Sequence, residues 1–189
     1  MYTDVDICAK ALVKLGARPI ASLDEPTVEA QVARELYPTV RDALLASYPW
    51  SFTVAQARLV RDTAAEPGDF ACAFFLPPDM LRSISAGAGN RGRGLVFRIR
   101  GNRLLTDAPE VTLTYQRRVP ENQFSAPFVA ALVAKLAAEF ALPLTENTAR
   151  AESLQRLAVE EIRLARLLDS QQATPMRVED FTLIEVRGR

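Results

Sequence analysis

The sequence predicts a mainly α protein: a four-helix bundle, two N-terminal and two C-terminal helices, with a small antiparallel β insertion and an extended C-terminal tail. Three observations predict it. Apolar residues recur with helical spacing at both ends of the chain, the pattern changes to strand-like alternation over 70–119, and a short polar, β-prone stretch follows Pro175. The implied organisation is one domain over 1–174, with a helical core (1–60 and 125–174) and a β insertion (70–120), followed by a tail over 175–189.

Taken in order, Thr3 or Asp4 caps a first helix that ends near Leu15, with Gly16 just past its end. Val5, Cys8, Ala9, Leu12 and Leu15 share one face of it. Residues 24–27 read as loop and cap, and a second helix runs from 28 to about 47. Pro38 falls inside that helix; a proline there removes one backbone hydrogen bond and clashes with the preceding turn, a cost of about 3 kcal/mol in a straight helix. A kink or break is therefore expected at Tyr37–Pro38, and a stop before Pro49. Residues 53–60 fit helix or strand equally. Val111, Leu113 and Tyr115 then alternate with Thr112, Thr114 and Gln116, as Leu95, Phe97 and Ile99 do with Val96, Arg98 and Arg100. Five of the eight glycines lie between Gly87 and Gly101, which predicts long turns there. Ser125 and Pro127 open a third helix, apolar around nearly its whole circumference to Leu142, as at the centre of a bundle, and Pro143 ends it. The fourth helix, 146 to about 170, is amphipathic: Leu154, Leu157, Ala158, Ile162, Ala165 and Leu168 line one side. Glu152–Arg156 and Glu160–Arg163 can pair on the other, each contributing about 0.3 kcal/mol.

At 189 residues the chain can bury about 70% of its unfolded surface. Lys plus Arg equals Asp plus Glu at 23 each, so no global field draws it toward nucleic acid or anionic membrane. Lys10, Lys14 and Lys135 are its lysines and every other base is arginine, which reflects either a GC-rich genome or interfaces that use the guanidinium. Cys8 and Cys72 read as buried thiols in a reducing cytoplasm. No signal-peptide pattern is visible, and the apolar run 128–142, interrupted by Lys135 and Glu139, is short for a bilayer; no membrane role is expected.

The chain has no histidine, which removes Ser–His and Cys–His nucleophile pairs and the commonest metal ligand. Gly87, Gly89 and Gly92 match the bare dinucleotide-loop spacing, but no helical pattern follows. Glu160 with Glu161, or Asp4 with Asp6, point in different directions on a helix and make poor glycosidase pairs. The expectation is a protein that is not an enzyme and takes no cofactor or metal.

One stretch carries more. Leu15, Gly16, Pro19 and Ile20 are followed by a helix and then by Pro49, Trp50, Ser51 and Phe52; further on come Phe74, Leu76, Pro77, Asp79, Leu81 and Arg82. Tyr115, an Ala-rich helix ending in Leu-Pro-Leu-Thr, and a long final helix complete the order. This order resembles the phage head-to-tail adaptor (connector) family, the tail tubular protein A-like and tail accessory factor-like group, with Ser51 standing where the family has Asn. The resemblance implies a structural protein of the virion neck, made in the host cytoplasm. It implies a dodecameric ring beneath the portal protein that extends the channel for genomic DNA, without sequence specificity, and carries a downstream tail or stopper protein. Similar adaptors occur in prophages and gene transfer agents. A helical DNA-binding or regulatory module is the alternative reading, and a peptidoglycan hydrolase a remote one.

Three groups of residues are candidates for work. Trp50 and Phe52 sit where a helix ends and the chain turns toward the sheet, as structural anchors or as a binding hot spot. Arg91, Arg93, Arg98 and Arg100, with Arg103, lie in a Gly/Arg segment that reads either as a hairpin facing DNA or a tail protein, or as a solvated turn; it lacks interleaved aromatics. Phe181, Leu183, Ile184, Val186 and Arg187 lie in the tail, which extended could reach about 50 Å. The resemblance implies that this tail docks on the portal; folding back on its own bundle is the alternative. Asp79 and Arg82 are a candidate surface pair.

Overall fold

Thr3 caps the first helix, α1 (Asp4–Leu15), reciprocally: its hydroxyl accepts from the Asp6 N–H at 3.1 Å while the Asp6 carboxylate accepts from the Thr3 N–H at 3.0 Å. Gly16 ends α1 in the left-handed conformation, φ 81°. Thr27 caps α2 (Val28–Ala46) through the Ala30 N–H. The computed structural model describes residues 2–64, 68–89 and 92–172. The chain continues through β1 (Val54–Arg58), β2 (Cys72–Phe75), β3 (Met80–Gly87), β4 (Arg98–Arg100), β5 (Arg103–Thr106) and β6 (Thr112–Arg117), then a 3-10 turn at Glu121–Gln123, α3 (Ala126–Thr145) and α4 (Thr148–Ser170).

The expectation of a mainly α four-helix bundle is overturned. Among the described residues helix accounts for 46% and strand for 19%, in six strands forming two antiparallel sheets: the fold is α+β. One sheet has the order β1-β6-β3 and the other β2-β5-β4. The ambiguous stretch after Phe52 supplies β1, which pairs with β6 from Val54↔Gln116 to Arg58↔Thr112. Its partner β6 is a central strand buried on both faces: Leu113, Tyr115, Thr112 and Gln116 are all covered. The strands own a second core, around Phe74, Leu104, Val111 and Leu113, separate from the helical one. An insertion with its own core is a layer of the fold rather than a decoration on a bundle.

The helices also differ from a four-sided bundle. α3 packs against α1, α2 and α4, and its buried Ala131, Ala134, Ala137, Ala138 and Ala141 leave room for close approach. At 20 residues α3 is long and apolar enough to cross a membrane by length and composition alone; here it packs against three helices. Pro38 does not break α2, which is helical on both sides of it. Buried Ala33, Tyr37, Leu44 and Leu45 hold the two halves on α3 and offset the lost backbone bond. Pro143 does not end α3 either: the helix continues to Thr145, and Glu146, at φ 50°, closes it with an N–H to the Leu142 carbonyl. α4 therefore starts later than expected, with Asn147 as its cap.

In the β region the alternation at Leu95–Ile99 forms strand only from Arg98 onward. Leu95 and Phe97 pack on the strand core while Val96 is 80% exposed, and among the described residues only the Leu95 N–H reaches β3, at the Ala86 carbonyl (2.9 Å), so the alternation reports burial without a ladder. The turn from β4 to β5 is not long. Arg100 faces Arg103 across Gly101 and Asn102, and Gly101 at φ 58° supplies the positive φ that a two-residue hairpin needs.

Candidate functional site

The residues that carry the family resemblance converge on the joints between elements. At the first joint, the Arg150 guanidinium of α4 lies over Gly16 and donates to the Leu15 carbonyl; a Cβ at residue 16 would meet it at 2.9 Å. At the second, Trp50 is fully buried, edge-on to Phe128 of α3 at 5.0 Å and to Tyr48 at 5.1 Å, while Phe52 meets Phe128 at 5.2 Å. The Trp50 indole N–H donates to the Leu44 carbonyl at 2.9 Å, capping the end of α2. Ser51 reaches the far end of α4: its N–H and hydroxyl bond the two oxygens of buried Asp169 at 2.9 and 2.8 Å. Gln116 of β6 donates to the Leu45 carbonyl at 2.9 Å and to that of Tyr48, joining the sheet to the same turn; its buried Oε1 has no partner among the described residues. Trp50 and Phe52 thus lie within the helical core, as anchors of this joint.

A polar joint lies beside it. Glu121 accepts from the Tyr37 hydroxyl at 3.0 Å and from Arg41 at 2.9 Å, and Asp42 links Arg41 to Arg118. Burial works to raise the Glu121 pKa, but its backbone N–H, Arg41 and Tyr37 together outweigh burial and hold the carboxyl below its ordinary value. Burial first, and then Glu121, pushes the Tyr37 phenol up. The Cys8 thiol is pushed up to about 12 by burial, with Asp4 adding, so it stays protonated and unreactive at neutral pH.

Asp79 does not pair with Arg82. Its carboxylate accepts from the Tyr115 hydroxyl at 3.3 Å and its carbonyl from the Arg118 N–H at 2.8 Å, so the Leu-Pro-x-Asp motif locks β3 to β6. Of the arginine group, Arg91 lies outside the described residues. Arg93 is exposed. Arg98 pairs with Asp69 at 3.1 Å and lies over the Phe70 ring; Arg103 pairs with buried Asp62 at 2.7 Å. Arg100 is exposed at the hairpin tip. The β4–β5 hairpin thus holds Arg98, Arg100 and Arg103, and Arg98 and Arg103 are committed to local carboxylates. The tail residues Phe181, Leu183, Ile184, Val186 and Arg187 lie outside the described residues.

Two apolar surfaces stand out on α4, and sequence reasoning placed neither. Leu157, Leu164 and Leu168 are 54%, 51% and 39% exposed and lie 7 and 4 residues apart, a spacing that keeps them on one face. Leu157 and Leu168 had been assigned to the buried side; the buried line is instead Leu154, Ala158, Ala165 and Asp169. The period was visible in the sequence, but the apolar arc is wider than the face α3 covers. Across the helix lies a groove of about 960 Å³ between α2 and α4, lined by Val32, Leu36, Leu142 and Ala151 among others. It shares Leu36 and Glu139 with a second hollow of about 460 Å³ that runs past Val40 and Ile162 to Ser47 and Arg166. Among the described residues no cluster of three or more His, Cys, Asp or Glu could hold a metal ion. No protein-family model matches the chain, and no curated protein matches it either.

Proposed function

We propose that the chain is a structural head-to-tail adaptor of a tailed phage, one subunit of a dodecameric ring below the portal that extends the DNA channel and attaches the tail. The observation that carries this reading is the exposed leucine face of α4. A helix that leaves Leu157, Leu164 and Leu168 on one face, with Leu167 beside them, about half in water has a surface made to be covered by protein. In a closed ring each subunit offers two different faces, one to each neighbour, and the α4 leucines supply one of them.

The sequence motifs support the same reading from another side. Leu15–Gly16, Trp50–Phe52 and Leu76–Asp79 act at joints that fix the helices against the sheets, which suits a subunit whose work is its shape. The hairpin arginines Arg93, Arg98 and Arg100 would face DNA or the downstream tail protein, and the tail over 175–189 would engage the portal. Electron microscopy of the purified chain, alone and mixed with a phage portal protein, tests the reading: rings in either sample support it. A chain that stays monomeric in both, and binds duplex DNA in a salt-sensitive way, would favour the DNA-binding module instead.

A further inference from the structure

The groove between α2 and α4 has an apolar floor with an unequal distribution of charge at its two ends. At the Ser47 end stands Arg166, whose Nη2 bonds Ser47 at 3.1 Å and whose buried Nε has no partner among the described residues. At the far end Glu35 and Glu152 are exposed lining residues, with Arg156 beside them. The chain leaves α4 at Ser170, four residues beyond Arg166, so 173–189 starts from the arginine end. After Arg177 that segment has the complementary order: Glu179 and Asp180, then the apolar residues Phe181, Leu183, Ile184 and Val186 with Glu185 among them, then Arg187 and Arg189.

We propose that, in the free protein, this C-terminal segment lies in its own chain's α2–α4 groove, acidic pair toward Arg166 and terminal arginines toward Glu35 and Glu152. The dimensions agree. From Gln31 to Ser47 the α2 wall spans about 24 Å at the helical rise, and residues 181–186 extended cover about 20 Å. The seven residues from 173 to 179 are more than enough to turn back from the end of α4 to Arg166. Docking would cover Val32, Leu36, Val40 and Leu142 and give Arg166 a carboxylate. It also makes the tail unavailable to any partner until it is displaced, which is a latch on the assembly element. The inference goes beyond the ring reading and does not need it, because the isolated chain is enough to test it.

The test is amide hydrogen exchange of the full chain, with sedimentation at the same concentrations. Residues 181–186 are expected to be protected at least tenfold, in a monomer. Glu35→Arg with Glu152→Arg, at exposed positions that leave the fold intact, should abolish the protection. Adding Arg187→Glu and Arg189→Glu should restore it. Ala43→Asp, on the exposed rim of the groove, should also abolish it. Unprotected 181–186 in the native chain overturns the proposal, as does protection indifferent to the groove variants. Protection that falls on dilution along with a dimer overturns it too, in favour of a second copy's tail.

Discussion

Replacing Leu157, Leu164 and Leu168 together by glutamine separates folding from assembly. The three side chains are 54%, 51% and 39% exposed, so about half of their packing belongs to the monomer and the rest is open to a partner. Glutamine is nearly as good a helix former as leucine, so the intrinsic cost to α4 is small. Fully burying a leucine contributes about 1.5–3 kcal/mol relative to leaving it in water. A partner that covers the exposed half of each therefore gains about 1 kcal/mol per residue, or about 3 kcal/mol per contact. That corresponds to a loss of about two decades in association constant for the triple variant. Each subunit in a ring makes this contact once through α4, so the loss recurs at every interface and closure should fail. Mass photometry across a concentration series reads association, and thermal unfolding of the same samples checks the fold. A triple variant that melts normally and assembles with unchanged affinity would refute the argument that α4 is an assembly face.

Other expectations follow from the joints. Trp50→Ala should cost about 3–5 kcal/mol in urea unfolding, the range for emptying a fully buried indole site. Trp50→Phe should cost much less, because the Leu44 carbonyl keeps the Ser47 N–H at 3.3 Å and its hydroxyl at 2.8 Å. Asp169→Ala removes the acceptor for both Ser51 donors and should destabilise the chain by about 1–3 kcal/mol, whereas Ser51→Ala removes only one bond. Glu121 has a lowered folded pKa, so it contributes stability above its ordinary value, lost as pH falls through the lowered one. Glu121→Gln should flatten the acid limb of a stability–pH curve without changing its slope above neutrality.

Local chemistry was legible wherever a backbone group needs a particular neighbour. A cap at Thr3 or Asp4, of which the structure uses Thr3, the glycine past the end of α1 and the cap before α2 follow from residue type and position, and so did the strand-like run ending at Tyr115. What escaped was tertiary. Pro38 and Pro143 looked like helix breakers because the packing that holds their helices on either side is not encoded near them. The stretch after Phe52 became a strand because β6 was there to pair with it, and that partner lies about sixty residues away in sequence. That strand and the separate core beneath it turned an expected bundle into an α+β fold. Nothing in the sequence singles out Asp169 at the end of the last helix; its role depends on Ser51, which only the fold brings near. The two apolar surfaces of α4 escaped for the same reason, since periodicity shows how much of a helix is apolar and not which part its neighbours cover.

As proposed, this chain is one wedge of the neck between capsid and tail. Mapping the purified particle neck subunit by subunit, with copy number measured against the portal, tests it most directly. The account predicts a single closed tier of this chain below the portal, in one-to-one ratio with portal subunits, with α4 at the contact between neighbours. Particles that are complete and infectious yet contain none of the chain would contradict it.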